Sequence, residues 1–235
     1  MTNVKEKIAK VLENYQGRAR HVGELLKQGN AKYQRLEQWH EQQLIHFMGI
    51  VNVSMADLVR AHEEERLSTL AWVTRNLLEL VIWIEFATKS DENAKRFQDD
   101  AIKDLYGWAK ASIDLEKGQD PEEHKKLSDK MSELEKLAQS RGLGKLGDDY
   151  LRVSAVAKEL GHDADFAPRY KLCSKFAHPT AWVVRTASSV EADTDVRNMF
   201  FDDGVVLAFA ALAHLEQRFL NAFPEFKPQD GKNSA

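Results

Sequence analysis

Apolar residues recur at helical spacing along most of the chain. Between Val4 and Lys27 the positions Ile8, Val11, Leu12, Tyr15, Ala19, Val22 and Leu26 fall three or four residues apart, which predicts an amphipathic helix. Gly29-Asn30 reads as its C-terminal stop. A second helix follows, with Tyr33, Leu36, His40, Leu44 and Phe47 on one stripe. Gly49 to Ser54 interrupts that pattern, and Ser54 is the expected N-cap of a long helix from Met55 to about Thr88, bent near Ser68-Thr69. The first half of that helix is charged; its second half, Leu70 to Phe86, is apolar almost all round. Such a helix belongs in the middle of a domain.

Ser90-Asp91-Glu92 restarts the chain as a cap with an acidic first turn, and Asn93 to Leu115 continues as a helix. Residues 118–147 change character. After the turn Gly118-Gln119-Asp120-Pro121, the segment Glu122 to Gln139 is highly charged, with Leu127, Met131, Leu134 and Leu137 as its stripe. It reads as a solvent-facing arm, mobile or partner-binding, inserted into a single helical domain that spans 1–223. Core-like sequence resumes at Tyr150, and Gly161 closes a helix through Val153, Val156 and Leu160. Asp165 can cap the next helix. Thr180 to Phe200 has no clear period, Leu207 to Phe223 is a final apolar helix, and residues 224–235 read as a flexible tail. The expected fold is all-α, a bundle of about seven or eight helices with a charged helical arm. Strands have little support, since β-branched alternation is nearly absent.

Composition narrows the class. Of 235 residues, 43% are hydrophobic and 30% charged, as in an ordinary globular chain. The one cysteine, Cys173, excludes an intramolecular disulfide and fits a reducing compartment. The N-terminal residues are polar, with no signal peptide, and the longest clean apolar run, Gly204 to Ala213, is short for a bilayer. A cytoplasmic location without membrane association is expected. A net charge of −4 argues against non-specific coating of DNA or RNA, while leaving room for a local cationic site that holds one phosphate.

Two polar pairs stand out in apolar surroundings. Arg75 and Glu79 lie one turn apart in the most apolar helix, flanked by Leu77, Leu78, Leu80, Val81 and Ile82. Ser174 and His178 lie one turn apart on a second apolar helix, and Pro179 ends that helix at His178. Partly buried charges need partners, so the two helices are expected to meet through these four residues. Two readings stand. In one, the cluster is a hydrogen-bond network that fixes helix packing. In the other it is catalytic: His178 moves a proton, Arg75 holds an anion such as a phosphate, and Glu79 orients one of them. A helix C-terminus favours imidazolium, which would make His178 the acid. Ser174 has no Asp–His pair at triad spacing.

The arrangement Arg75-x-x-x-Glu79 with Trp83 and Ser-Asp-Glu-Asn-Ala-Lys-Arg-Phe, then Val156-Ala-Lys-Glu-Leu-Gly161 and Tyr170-x-x-x-Ser174-x-x-x-His178-Pro179, resembles a bacterial all-helical family of uncharacterised function. The likeness covers Leu70 to Thr180. That family is similar in outline to HEPN domains, which often act as metal-independent ribonucleases in toxin–antitoxin and phage-defence systems. Their hallmark is an Arg, a polar residue, three to five residues and a His on one helix. Ser174 and His178 match the polar residue and the His, while Cys173 stands where the Arg would be, so Lys171 or Arg75 has to supply the cation. The resemblance implies an RNA substrate and a protein partner or second copy.

Glu37-x-x-His40 and Glu159-x-x-His162 repeat the spacing of di-iron bundles, with Gly161 inside the second pair. His62 and His124 are expected to be solvated, and His46 and His214 to lie in the core or an interface. Trp39, Trp72, Trp83, Trp108 and Trp182 fall at core spacing. With no Gly-rich phosphate loop, zinc motif or nucleotide fingerprint, neither cofactor nor metal is expected.

Overall fold

The computed structural model describes residues 2–33, 39–116, 120–144, 146–147, 150–178, 180–181, 185 and 193–227. Among them are eight α-helices and no strand: α1 (Thr2–Tyr33), α2 (Trp39–Glu63), α3 (Leu67–Lys89), α4 (Asp91–Glu116), α5 (Pro121–Ser140), α6 (Val153–Glu159), α7 (Asp163–Ala177) and α8 (Thr194–Ala222), followed by a 3-10 turn, Pro224–Phe226.

Helix α3 is the axis of the bundle. It is apolar over most of its circumference, and α2, α4, α6, α7 and α8 pack against it. Leu70, Leu77, Ile84 and Phe86 are sealed from solvent there, together with Phe200, Leu212, Leu215 and Phe219 of α8. The buried hydroxyl of Thr74 on α3 donates to the carbonyl of Phe200 on α8 at 2.8 Å and is thereby satisfied.

Five helix boundaries differ from the sequence reading. Helix α1 runs through Gly29-Asn30 to Tyr33, and α7 starts at Asp163 with His162, not Asp165, at its N-cap. The stretch Met55–Thr88 is not one bent helix. The chain turns at residues 64–66, where Glu65 is left-handed (φ 55°) and the Arg66 N–H reaches the Ala61 carbonyl at 2.8 Å. Neither Gly nor Pro marks this turn, so composition does not announce it. Helix α2 runs through Gly49 and Ser54 without a break, since Leu44, Phe47, Val51, Met55 and Leu58 keep one continuous buried stripe. Helix α8 starts at Thr194 rather than Leu207. The Asp193 carboxylate accepts from the Asp195 and Val196 amides at 3.0 and 3.1 Å and caps it. Within the stretch read as irregular, residues 182–184 and 186–192 lie outside the described residues.

Other signals hold. Ser90 Oγ receives the Asn93 amide at 3.1 Å and caps α4; Asp120 caps α5, with Pro121 in its first turn. The charged arm is helix α5, laid along α4 through a small satellite core of Ile102, Leu134 and Ala138. Arg141 closes its far end on Asp99 at 2.9 Å. The buried Asp100 accepts the Leu151 amide at 2.7 Å and leads the chain back to the main core. At the C-terminus, Phe226 packs on Phe219 with rings 5.4 Å apart, so the first residues beyond α8 fold back onto the bundle.

Helices α3, α8 and the part of α2 from Gln43 are each long and apolar enough to cross a membrane on length and composition. Of those apolar windows, 61% in α3, 44% in α8 and 39% in α2 is buried within the bundle.

Candidate functional site

The site forms where α7 crosses α3. Helix α7 buries Phe166, Cys173 and Phe176, and Phe176 meets Phe200 edge-on at 5.2 Å. With that stripe fixed, Tyr170, Ser174 and His178, each one turn from the next, line the flank beside α3. Helix α7 ends at Ala177. His178 has extended backbone (φ −115°, ψ 149°), as the following proline dictates, and its side chain is exposed.

Arg75 is the hub. Its Nε donates to Glu79 Oε1 at 3.1 Å, its Nη1 lies 2.9 Å from His178 Nε2, and its Nη2 donates to the Tyr170 hydroxyl. The guanidinium also stands over the Tyr170 ring, 4.4 Å from its centre. The structure therefore brings Arg75, Glu79 and His178 together, as the paired spacings predict. Ser174 faces the same flank, but its hydroxyl donates to the Tyr170 carbonyl one turn back, at 2.8 Å. Lys171 is exposed and Arg169 reaches Asp203 at 3.6 Å, so Arg75 is the cation that stands at His178. Tyr170 is the participant to which the sequence reading assigned no role. Its signal was present: it precedes Ser174 and His178 at the same four-residue interval.

Two consequences follow from donor chemistry. An arginine only donates, so in this contact His178 Nε2 is the acceptor, the role it has in the Nδ1–H tautomer. Second, a guanidinium carries five N–H bonds, and the contacts above use three. Among the described residues, one N–H on each terminal nitrogen is left to receive an anion.

The remaining ionisable groups make structural ties. Glu85 on α3 accepts from His162 at 2.8 Å and lies 3.6 Å from His214 of α8. Glu159 pairs with Arg96 at 2.8 Å, a hydrogen bond that holds its carboxyl below the usual range. Glu159 and His162 thus turn to different partners, and no described group of three or more His, Cys, Asp or Glu could hold a metal ion. His62, read as solvated, packs on Phe201 with ring centres 4.4 Å apart; His124 is half-buried beside Glu116, 3.2 Å away. His46 is exposed. Trp72 and Trp108, read as core, are 49% and 60% exposed, because helical spacing gives a residue's face but not whether another helix covers it. The side chains of Trp39 and Trp182, and those of Glu37 and His40, lie outside the described residues.

Cys173 is buried, and burial, followed by the nearby Asp203 carboxylate, pushes its thiol up to about 11. The folded state therefore favours the protonated thiol. That contribution is complete below the ordinary thiol value of 9.0 and is lost as pH rises toward 11. Cys173 is expected to resist a thiol-reactive dye at pH 8 in the native protein and to react fully in denaturant. Rapid native labelling at the unfolded rate would show that α7 is not seated as described.

The family described as "Family of unknown function (DUF5677)" matches residues 41–195, a span that takes in Arg75, Glu79, Tyr170, Ser174 and His178. No curated protein and no solved structure matches the chain.

Proposed function

The chain belongs to this family of unknown function (DUF5677), and from that premise and the site geometry we propose that it is a HEPN-like, metal-independent endoribonuclease. It would act in the cytoplasm as the effector of a bacterial toxin–antitoxin or phage-defence module. The observation that carries the reading is an exposed imidazole whose Nε2 lies 2.9 Å from a guanidinium that keeps donors for an anion.

The chemistry runs from those groups. An RNA phosphate takes the remaining N–H bonds of Arg75 and competes with His178 for Nη1, which releases the lone pair of Nε2. Nε2 then accepts the proton of the adjacent 2′-hydroxyl. The 2′-oxygen bonds to phosphorus as the bond to the 5′-oxygen breaks, giving a 2′,3′-cyclic phosphate. Tyr170, whose hydroxyl receives from Arg75 and keeps its own proton, gives that proton to the leaving 5′-oxygen; His178 returns one to Tyr170 through water. Arg75 balances charge as it builds on the phosphoryl oxygens. Glu79 holds Nε and fixes the plane of the fork.

The test is expression of wild type and His178→Ala with RNA profiling, and cleavage of RNA by the purified proteins. His178→Ala is expected to lower cleavage by about 10²-fold or more, with a nearly unchanged melting temperature, since the ring is exposed. New RNA ends should carry 2′,3′-cyclic phosphate. A second reading has specific support: the same contacts tie α7 to α3, as a packing network in a non-catalytic binding or scaffold subunit would. Wild-type protein that cuts no RNA, together with a His178→Ala variant that melts well below it, would establish that reading instead.

A further inference from the structure

On the other side of Glu79 lies a groove of about 850 Å³, formed among the described residues by α2 and α3 alone. It runs from Ile45 and Trp83 at one end to Asp57 and Trp72 at the other, twelve residues of α2 and about 18 Å at 1.5 Å per residue. Its walls expose large apolar side chains: Ile45, Ile50 (53%), Val53 (62%) and Trp72. A continuous apolar trough on antiparallel helices is unusual on a free surface and marks an interaction site.

We propose that this groove docks an amphipathic α-helix of a partner protein, about three turns long, with an apolar ridge at i, i+3 or i+4, and i+7, flanked by Lys or Arg. Three observations select that occupant. The floor is the furrow between two helices, which accepts the ridge of a third. An extended peptide would find no backbone partners there, because the amides and carbonyls of α2 and α3 are already paired within their helices. The lining carries two carboxylates, Asp57 and Glu79, and one imidazole, His46, while the arginines paired with the carboxylates, Arg60 at 3.7 Å and Arg75 at 3.1 Å, stand outside it. Carboxylates in an apolar trough favour a basic partner. They oppose RNA, lipid acyl chains and a second copy, whose own two carboxylates would enter the same interface.

The experiment selects, on the full-length chain, from a displayed library of fifteen-residue helical peptides. Enriched peptides should show the apolar ridge with Lys or Arg beside it. A synthetic copy of the most enriched one should shift the tryptophan emission of the wild type. Val53→Glu at an exposed position and Asp57→Lys at a half-buried one, each first checked for an unchanged melting temperature, should each weaken that binding about tenfold or more. The proposal is overturned if no periodic basic helix is enriched, or if the two variants bind the peptide as tightly as wild type. It also fails if the wild type sediments as a dimer that Val53→Glu dissociates, which would seat a second copy in the groove. Preferential, Val53-dependent binding to anionic vesicles would seat lipid there instead. These outcomes do not depend on whether the chain cleaves RNA.

Discussion

Arg75→Ala is expected to lower RNA cleavage by on the order of 10³-fold, the usual scale for removing a positioned charge from a developing oxyanion. The side chain serves two ends at once, holding the phosphate and holding the imidazole that takes the proton. Arg75→Lys should recover little, leaving activity about 10²-fold down, because one ammonium cannot reach Glu79, Tyr170, His178 and an anion from a planar fork. The stability cost is modest by comparison. The Arg75–Glu79 pair is part-exposed, with side chains 20% and 27% accessible, and such pairs contribute at most about 1 kcal/mol. The bond to Tyr170 of α7 adds about 1 kcal/mol and the one to the exposed His178 less, so the melting point should fall by a few degrees and the fold survive at assay temperature. Cleavage that tracks only the folded fraction of each variant would reduce Arg75 to a packing residue.

The largest effect on stability is expected at Gly204 of α8. A Cβ there would lie 2.7 Å from both terminal methyls of Leu58 and 3.2 Å from Thr74 Oγ1. Neither neighbour has room to retreat: Leu58 is fully buried, and the Thr74 hydroxyl is bound to the Phe200 carbonyl. Gly204→Ala gains about 1 kcal/mol in helix propensity and loses about 1–3 kcal/mol to overpacking, a small net loss. Gly204→Leu puts a whole side chain where α2, α3 and α8 converge. It should lose more than about 3 kcal/mol, read as a lower urea midpoint at unchanged slope, or fail to fold. A Gly204→Leu protein as stable as wild type would mean that these three helices are not in the close contact described.

Much of this was legible in the chain. The apolar run from Leu70 to Phe86 predicts a central helix, and α3 is packed by five others, with Trp72 left exposed on the side they do not cover. The interval from Tyr170 through Ser174 to His178 placed those groups on one flank, and Pro179 predicted where α7 stops. Local rules also found the caps at Ser90 and Asp120. The misread boundaries share a cause. At Glu65 the chain reverses on a residue with no turn signature, and at Gly49 and Ser54 it continues through residues that carry one. In both places, burial of Leu58, Leu67 and Leu70 outweighs local preference.

The sequence by itself determined which segments are helices and which face of each is apolar, because both follow from spacing within a single element. It also determined that Arg75 and His178 each sit in apolar surroundings in need of a partner. Only the tertiary structure decided that they partner each other, that Tyr170 completes the contact, and that Trp72 is left exposed above a groove. Those outcomes depend on which helix lies against which, across 103 residues of sequence in the case of Arg75 and His178. The free energy that decides it is the burial of Phe86, Phe200 and their neighbours, which is non-directional and belongs to no one segment.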